Sequence, residues 1–296
     1  MTRASLTIGL CSVVALASVV TGSSAQSPEF TGHGFAPVEG TRLYYEVKGA
    51  GPAVVLIHGG QLDSRMWDDQ FDILAKRLTV IRYDVRGYGG SVRGDKPYCD
   101  ADDLAALLDY LKVKKAHLVG LSLGGRIAVD LTVAHPERVR SLTLAGPGLA
   151  GYDAPKAEEV DLRMWEIIKA ARDEGSDRAT DLWLKDPFMA PAMEQSGPAS
   201  RLRRITRENA HCWLNNPVLQ CSPKPLAGKR LNEIKVPTLL ILGDRDVPQI
   251  RSNVEALEKG ISGSQKIVIK GAGHMVNMEK PDMFNEALLT FLGKFK

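Results

Sequence analysis

The sequence has little of several features that would point away from an ordinary globular protein. Aromatic residues make up only 6% of its 296 residues, and no run of five or six like charges occurs. Hydrophobic residues reach 44% and charged residues 25%, so the composition is not that of a disordered chain and allows a large core. The length suits one large domain, or one domain that carries an insertion.

A strong excess of one charge is also missing, since the formal net charge is only +3. The densest basic stretch, RLRRITR at residues 201–207, is interpreted as the solvated face of a helix rather than a nucleic-acid patch. No cluster of His, Cys and Asp has the spacing of metal ligands, and no G-x-G-x-x-G opens the first predicted helix. We therefore expect a small-molecule substrate, no nucleic-acid partner, no metal and no cofactor. The oligomeric state stays open.

Long apolar runs are absent except at the N-terminus. There, residues 6–20 are apolar and rich in small side chains, follow a cationic start at residues 1–3 and precede the small-x-small site at residues 23–25. This three-part build is typical of a secretory signal peptide, and the run is short for a bilayer span, with a retained membrane anchor as the alternative. We predict a signal peptide over residues 1–25, a secreted or periplasmic protein, and no membrane association once the signal is removed.

Cysteine is scarce, and removal of the predicted signal peptide would leave Cys99, Cys212 and Cys221. An oxidising destination favours a disulfide, and Cys212 with Cys221 is the pair nearest in sequence. Buried free thiols are an equally good interpretation, because unpaired cysteine is often buried. Whether Cys212 and Cys221 form a disulfide is left open by the sequence.

What the sequence does contain, from about Arg42 onward, is an alternation of short β-rich runs with amphipathic helices. Continuous apolar strands separated by helices indicate an α/β fold with a mostly parallel central sheet and helices on both faces. The predicted strands are Leu43 to Val47, Ala53 to Ile57, Thr79 to Asp84, His117 to Gly120, Ser141 to Ala145, Thr238 to Leu242 and Lys266 to Ile269. The predicted helices are Arg65 to Leu78, Asp102 to Leu111, Leu123 to Ala134, Gln249 to Lys259 and Pro281 to Phe295.

The alternation breaks at the Gly-Pro-Gly of residues 146–148. From about residue 150 to residue 230 the chain has no good strand and is patterned as helices punctuated by prolines, after which the α/β rhythm resumes. We predict one α/β core interrupted by a helical insertion. The first part of the core is expected over residues 26–149, the insertion over 150–231 and the second part of the core over 232–296.

The strongest single motif is GLSLGG at residues 120–125. Ser122 lies in G-x-S-x-G, directly after the strand HLVG and directly before an amphipathic helix. A nucleophile on a sharp strand-to-helix turn has a strained backbone, and side chains two residues away on either side would collide with it, which explains both glycines. The helix N-terminus also offers N–H groups to a developing oxyanion. We predict that Ser122 is a nucleophile.

A serine nucleophile needs a base, and the chain has six histidines. His274 lies in GAGHMVNMEKP between the last strand and the last helix, at the C-terminal edge of the predicted sheet where such sites form. We predict that His274 is the base, with an ordinary surface-loop histidine as the alternative. His117 begins the strand that leads to Ser122 and therefore lies at the wrong end of the sheet. His33 is assigned to a flexible N-terminal segment, His58 to shaping a loop, and the other two to a distant helix end and the insertion.

The third member should be an acidic residue that follows a strand between Ser122 and His274. The stretch LLILGDRDVP supplies two candidates, Asp244 and Asp246. Asp246 is preferred because its extra two residues reach beyond the tight turn at Gly243, and Asp244 is the alternative. A buried carboxylate on the far nitrogen of the histidine would fix its tautomer and stabilise the imidazolium formed during attack.

Two backbone N–H groups are expected to hold the oxyanion. One belongs to Leu123, the residue after the nucleophile, and the other to the loop HGGQLDSRMW that follows the first buried strand. In that loop Gly60 is the expected donor, with Gln61 next, because the glycines let the backbone approach a substrate closely. A tight turn before the next helix would explain the same glycines.

The strand AVVLIHGG, the segment GYGGS at residues 87–91, GLSLGG, LGDRD and GAGH, in this order, resemble the α/β-hydrolase superfamily. The resemblance covers nearly everything from Arg42 onward apart from the insertion. Within the superfamily the chain is similar to carboxylesterases, enol-lactonases, cofactor-free haloperoxidase-type enzymes and carbon–carbon bond hydrolases, and the resemblance implies that the insertion forms a lid over the nucleophile. Haloalkane dehalogenases and epoxide hydrolases use aspartate at the nucleophile position, so the serine argues against both. The site residues that the resemblance implies are Ser122, Asp246, His274, Gly60 and Leu123.

These residues predict a serine hydrolase that cleaves a small or medium carboxylic ester or lactone through an acyl-enzyme. The alternatives are a carbon–carbon bond hydrolase of diketone-type substrates and a hydrolase-like ligand receptor with little turnover. As a lid lining, the tryptophans and methionines of the insertion would favour an apolar acyl or aryl group, although most of them are expected to pack the helices onto the core. They are Met164, Trp165, Trp183, Met189, Met193 and Trp213.

Overall fold

The computed structural model describes residues 31–155, 157–215 and 219–295, so the signal peptide expected over residues 1–25 lies outside the described residues. Ten strands are present in this part of the chain. They are β1 (Gly32–Val38), β2 (Thr41–Lys48), β3 (Ala53–Ile57), β4 (Thr79–Tyr83), β5 (Tyr98–Cys99), β6 (Ala116–Leu121), β7 (Val139–Ala145), β8 (Gln220–Cys221), β9 (Thr238–Gly243) and β10 (Gln265–Ile269). Eight of them form one sheet in the order β1-β2-β4-β3-β6-β7-β9-β10, and β5 pairs with β8 in a separate ladder.

The centre of the large sheet is parallel. Strands β3, β4, β6, β7, β9 and β10 run in one direction, whereas β2 is antiparallel to both β1 and β4. Strands β6 and β9 are buried along their whole length, as expected for apolar strands that are covered on both faces. The predicted α/β fold with a mostly parallel sheet is confirmed.

The helices account for most of the remaining chain. In the described residues they are α1 (Asp68–Ala75), α2 (Asp100–Tyr110), α3 (Leu123–Ala134), α4 (Ala157–Asp173), α5 (Ser176–Trp183), α6 (Ala190–Met193), α7 (Ser196–Glu208), α8 (Pro248–Gly260), α9 (Val276–Glu279) and α10 (Pro281–Leu292). Helix α3 packs on β6 and β7, α1 on β4 and α10, and α8 on β9. None of the helices in the described part of the chain is long and apolar enough to cross a membrane.

Two expectations about the first part of the core are wrong. Residues 65–78 do not form one helix, because the side chain of Asp63 accepts the N–H of Arg65 (3.0 Å) and starts a short 3-10 helix, Ser64–Trp67, before α1 begins. The segment around His33 is not a flexible N-terminal stretch, since it forms β1, which pairs with β2 along seven residues. Only Ala36 of this strand is buried, so the sequence carries little of the alternation that would have predicted it.

Between β7 and β9 the chain is mainly helical, with α4 to α7 followed by short 3-10 turns. The expectation that this segment has no strand is wrong, because the segment contains the short strand β8. Trp183, Met189 and Trp213 are buried and pack the insertion together, with the two indole rings 5.8 Å apart. Trp165 is different, because 60% of it is exposed on α4.

The disulfide joins Cys99 to Cys221, and Cys212 is a buried free thiol. The question that the sequence left open is therefore answered: Cys212 and Cys221 are not bonded to each other, and Cys212 is the buried free thiol of the alternative interpretation. Cys99 and Cys221 are direct partners in the β5–β8 ladder, with Cα atoms 4.8 Å apart, which is the separation that a disulfide requires. Cys212 instead directs its thiol at the carbonyl oxygen of Gly87 (3.0 Å), and burial raises its pKa to about 12.

Candidate active site

Ser122 occupies the turn between β6 and α3. Its backbone has φ 53° and ψ −111°, a conformation that a residue with a side chain rarely adopts. The turn is held from the neighbouring strand, because Ser122 donates its N–H to the carbonyl of Ala145 (3.1 Å) and accepts the N–H of Gly148 (2.9 Å) on its own carbonyl. This is the strained strand-to-helix geometry that presents a nucleophile at the end of a sheet.

The two glycines of the motif are required by contact distances. A Cβ on Gly120 would lie 2.2 Å from the carbonyl oxygen of Gly124, and a Cβ on Gly124 would lie 2.1 Å from the carbonyl oxygen of Ile57. No side chain fits at either position without moving backbone. The turn therefore packs α3 tightly between the ends of β6 and β3.

His274 and Asp246 form a buried pair. Imidazole Nδ1 lies 3.1 Å from both carboxylate oxygens of Asp246, and the two residues are only 2% and 4% exposed. Asp246 Oδ1 also accepts the N–H of Val247 (2.7 Å), which fixes the carboxylate. With Nδ1 committed to Asp246, the Nε2 atom of His274 is left to exchange a proton.

Asp244 has a different partner. Its Oδ1 accepts the N–H of Gly271 (2.7 Å), and its side chain makes no hydrogen bond to His274 among the described residues. The two loops cross closely at Gly243, because a Cβ there would lie 2.3 Å from the carbonyl oxygens of Ala272 and Gly273. At this close crossing Asp244 faces the start of the histidine loop, and Asp246 faces the histidine itself.

The segment Gly146–Gly148 lies between the serine turn and the histidine pair. A Cβ on Gly146 would be 2.9 Å from Asp246 Oδ2 and 3.1 Å from His274 Nδ1, while Gly148 is hydrogen-bonded to Ser122. The same turn thus contacts both parts of the site. The hydrogen bonds of the described residues do not include one between the Ser122 hydroxyl and His274.

The loop after β3 lies against the serine turn. A Cβ on Gly59 would be 3.6 Å from Cβ of Ser122, whereas Gly60 has open space beside it. The N–H groups of Gly60 and Leu123 engage no acceptor among the described residues, so both are free to donate. His58 holds this loop, since its Nε2 accepts the N–H of Val85 (2.8 Å) and its Nδ1 lies 2.7 Å from the carbonyl of Gly59.

The insertion covers the loops that carry His274 and Asp246. Sequence reasoning did not identify which residues of the insertion make this contact. The Phe188 ring lies edge-on to the imidazole of His274, with centroids 4.7 Å apart. Pro191 lies directly over Gly273, where a Cβ would be 2.5 Å from its Cγ. No local signal could have assigned these contacts, because about eighty residues separate the two segments in the chain.

A cavity of about 470 Å³ opens beside the loop that carries Gly60. Its core side is formed by residues that follow β3 and β4, and its other side by α4 and the 3-10 helix Ala210–Leu214. Six of its lining residues are Gln61, Tyr88, Tyr98, Met164, Trp165 and Trp213. Trp183 and Met189 are buried and do not line this cavity. These two of the six tryptophans and methionines named above are therefore packing residues, as expected.

The histidine that precedes the serine turn on the same strand lies away from it. His117 is the second residue of β6, near the opposite end of the strand, and its Nδ1 lies 2.7 Å from the Ser141 hydroxyl. In the described part of the chain, no three His, Cys, Asp or Glu side chains are grouped so that they could hold a metal ion. The arrangement as a whole offers a hydroxyl on a strained turn, a buried imidazole–carboxylate pair and two free N–H groups.

The sequence matches the Alpha/beta hydrolase family over residues 54–287, a range that includes the serine turn, the aspartates and His274. The match spans well over half of the chain and agrees with the sheet order and the motifs. The chain belongs to the α/β-hydrolase family. Members of this family that resemble it act on small molecules, so a small-molecule substrate is the expectation that the comparisons support.

This α/β-hydrolase is 33% identical over 264 residues to the proposed carbamate hydrolase RutD of Azorhizobium caulinodans, covering 85% of the chain and 95% of the relative. It is 32% identical over 268 residues to a 2-hydroxy-6-oxononadienedioate/2-hydroxy-6-oxononatrienedioate hydrolase of Paraburkholderia phymatum, covering 86% and 91%. Among solved structures it resembles the enol-lactonase from Burkholderia xenovorans LB400, with a TM-score of 0.74, 28% identity and coverage of 88% and 100%. The relatives are hydrolases, and they do not agree on one substrate.

Proposed function

We propose that this α/β-hydrolase is a serine hydrolase that cleaves a small or medium carboxylic ester or lactone. The observation that carries the proposal is the buried His274–Asp246 pair beside the strained Ser122 turn, with the Gly146–Gly148 segment in contact with both. The likeness to an enol-lactonase supports a carbonyl substrate with an oxygen leaving group. In this proposal Ser122 is the nucleophile, His274 the base and Asp246 its orienting acid.

In the proposed reaction the Ser122 hydroxyl attacks the substrate carbonyl carbon and gives its proton to Nε2 of His274. Asp246 stabilises the imidazolium through Nδ1. The N–H groups of Gly60 and Leu123 hold the negative oxygen of the tetrahedral intermediate. Collapse breaks the carbon–oxygen bond, and the leaving alkoxide takes the proton from His274.

The acyl-enzyme is then hydrolysed by the reverse sequence. A water molecule gives a proton to His274 and attacks the acyl carbon. His274 then passes this proton to the Ser122 oxygen as the acid leaves. With a lactone, the acid and the alcohol are the two ends of one product. Among the described residues, the cavity of about 470 Å³ reaches the proposed site only through Gln61, the neighbour of Gly60, and its wall combines aromatic side chains with the charged Lys169, Arg172 and Asp173. In this proposal the substrate group that enters it has an aryl or apolar part and a polar part.

The test is a hydrolysis screen over acyl-chain length, aryl esters and lactones, with the Ser122→Ala protein as blank. We expect the wild-type protein to turn over p-nitrophenyl esters and the alanine variant to lose at least about a thousandfold in kcat, because no other hydroxyl replaces the nucleophile. Circular dichroism should show an unchanged fold. Full residual activity in the variant would end the assignment.

A carbon–carbon bond hydrolase is the second candidate, and the similarity to the Paraburkholderia phymatum hydrolase favours it. The same residues would serve, and the products separate the two functions. Release of an acid and an alcohol supports the ester or lactone reaction, whereas release of an acid and an enol or ketone supports carbon–carbon cleavage. A ligand receptor with little turnover would bind esters and show no pre-steady-state burst of product.

We also propose that residues 1–25 are a signal peptide and that the mature protein is secreted or periplasmic. The charge and hydropathy pattern of that segment supports the proposal. The Cys99–Cys221 disulfide supports it independently, because structural disulfides persist in oxidising compartments and are rare in the cytosol. The test is mass spectrometry of protein exported by its own N-terminal segment, in which residues 1–25 should be absent.

A further inference from the structure

Glu279, the last residue of α9, is a buried carboxylate that the proposed reaction does not use. Only 4% of the residue is exposed. One of its oxygens accepts the N–H of Gly273 (2.8 Å) and the other accepts the N–H of Met275 (3.0 Å). The two hydrogen bonds therefore grip the backbone on both sides of His274.

The surroundings of Glu279 disfavour its charged form. Burial raises the pKa of the Glu279 carboxyl, and the negative charge of Asp246 raises it further, while the two N–H groups and His274 act in the opposite direction. Glu279 forms no ion pair within the described residues. The positive charge of Arg245 interacts with Glu279 but makes no ion pair with it. The carboxylate is therefore kept in place mainly by its hydrogen bonds, and two of these end on the histidine loop.

The insertion reaches the same carboxylate. Gln195 Nε2 lies 3.4 Å from the oxygen that accepts the Gly273 N–H, and Pro191 lies over Gly273. The histidine loop is thus held from below by Glu279 and covered from above by the insertion. Because glycine at 273 gives this loop a flexible backbone, a fixed position for His274 needs such external bonds.

We propose that Glu279 is a positioning residue for the base, which it holds by accepting the N–H groups on both sides of His274. It keeps Nδ1 of His274 on Asp246 and keeps Nε2 available to Ser122. This inference rests on the proposed function of His274. A displacement of about 1 Å at a reacting group can cost roughly a hundredfold in rate, so the grip has a kinetic consequence.

The first test compares Glu279→Gln with Asn285→Ala. Glutamine has the same size but only one acceptor oxygen, so its NH2 group must face one of the two N–H groups. We expect kcat to fall about 10- to 100-fold while KM changes by less than about threefold, because the binding cavity is untouched and only the base is displaced. Should the glutamine variant fail to fold, Glu279→Asp replaces it, since it keeps two acceptor oxygens on a shorter side chain and the same kcat-specific loss is expected.

Asn285 on α10 is the matched control. It is also buried and makes two hydrogen bonds, to the carbonyl of Asp69 (3.0 Å) and to Gln70 Nε2 (3.0 Å). Gln70 in turn bonds Asn277 of α9, so this control disturbs the support of α9 while leaving both Glu279 bonds to the histidine loop in place. Asn285→Ala should lower the melting temperature and leave kcat within about twofold of wild type. An equal loss of kcat in this control, or a Glu279 variant with kcat within twofold of wild type, would overturn the inference.

Two further measurements separate positioning from general stabilisation. In a His274→Ala background, Glu279→Gln should cause no additional loss of residual activity, because there is no longer a base to position; an additive loss would refute the proposal. The proton NMR signal of His274 Nδ1–H, assigned by its absence in His274→Ala, should move in Glu279→Gln and stay in place in Asn285→Ala. This signal does not depend on turnover, so it tests Glu279 even if Ser122→Ala shows that the proposed hydrolase reaction is wrong.

Discussion

At the scale of single residues, the site depends on positions that accept only one type of residue. Gly146 shows this twice, because its φ of +46° favours glycine and a Cβ there would press on both Asp246 and His274. Ser122 has a positive φ as well, yet it must carry a side chain. Strain at the proposed nucleophile, Ser122, and the absence of a side chain beside the proposed base, His274, are thus two features of one compact site.

The two neighbouring aspartates allow a sharp test at this scale. Asp246→Asn should lower kcat by about a thousandfold or more, because an amide cannot accept the Nδ1 proton and stabilise the imidazolium as a carboxylate does. Asp244→Asn should cost less than about tenfold, since the Asp244 side chain accepts the N–H of Gly271 rather than bonding His274. Steady-state kinetics on one ester substrate measures both effects.

The controls for the aspartate pair are the unfolding midpoints of both variants, which should lie close to that of wild type. With similar stability, the ranking of the two kcat values decides which carboxylate acts on His274. If Asp244→Asn were the more damaging change, the acid role would belong to Asp244.

At the scale of elements, β6 carries different chemistry at its two ends. Its C-terminal end leads into the Ser122 turn, while His117 near its start is buried against the Ser141 hydroxyl. Burial lowers the pKa of His117 to about 4, and the positive charge of Arg140 adds to this effect. His117 is therefore a neutral core residue over most of the pH range, which agrees with its exclusion as the base.

This lowered pKa predicts a pH-dependent stability. Unfolded His117 binds a proton near pH 6.5, and the folded protein resists protonation until about pH 4, so its contribution is complete above pH 6.5 and is lost as the pH falls towards 4. The loss should reach about 2–3 kcal/mol. Denaturant unfolding between pH 7 and pH 4 should show a shallower decline for His117→Asn, which keeps a polar group near Nδ1 and cannot titrate.

The comparison uses the difference between the two proteins at each pH. Asp130, whose pKa burial raises to about 6, titrates in the same range, but it is common to both proteins and cancels. Parallel stability curves for wild type and His117→Asn would show that His117 does not contribute in this way.

At the scale of the whole molecule, the insertion is tied to the core at several distant points. Ion pairs join Arg201 to Asp69 and Glu194 to Arg245, where the two bonds are 2.7 Å long. Exposed ion pairs of this kind stabilise little by themselves. The disulfide between Cys99 in the core and Cys221 at the end of the insertion is the covalent connection, and it closes a separation of 122 residues.

Loss of this disulfide should destabilise the protein. The double variant Cys99→Ser/Cys221→Ser leaves no new free thiol, and its free energy of unfolding should fall by about 2–5 kcal/mol, because the bond restricts the unfolded chain across a long loop. Denaturant unfolding measures the change.

In protein exported by its own N-terminal segment, mass spectrometry should find residues 1–25 removed, Cys99 bonded to Cys221 and Cys212 as the remaining thiol.

Cys212→Ala is the control for the disulfide. It removes a buried thiol, so a smaller loss of about 1 kcal/mol is expected from packing alone. Recovery of the exported protein with residues 1–25 retained would contradict the signal-peptide proposal. A bond that includes Cys212 would contradict the pairing, and unchanged stability of the double variant would contradict the role of the bond.

Much of the fold and of the candidate site could be predicted because the signals are local. A buried apolar strand, a small turn residue and an amphipathic helix predict their own conformations within a few residues, so Ala53–Ile57 and Leu123–Ala134 agree with the structure at both ends. Ser122, Asp246 and His274 each follow a strand, and the parallel sheet places the ends of these strands at one edge, so their proximity could be predicted. The catalytic roles of Ser122, Asp246 and His274 stay a prediction.

Other features were decided only by the tertiary structure. The partner of Cys221 depends on a ladder between residues 122 positions apart, and the covering of His274 by Phe188 depends on how the insertion docks. The grip of Glu279 on the histidine loop spans only a few residues, but it depends on side-chain direction at the end of a short helix. Sequence periodicity reports which face of an element is buried; it carries no information about which distant element covers that face, because many partners would bury the same apolar surface equally well.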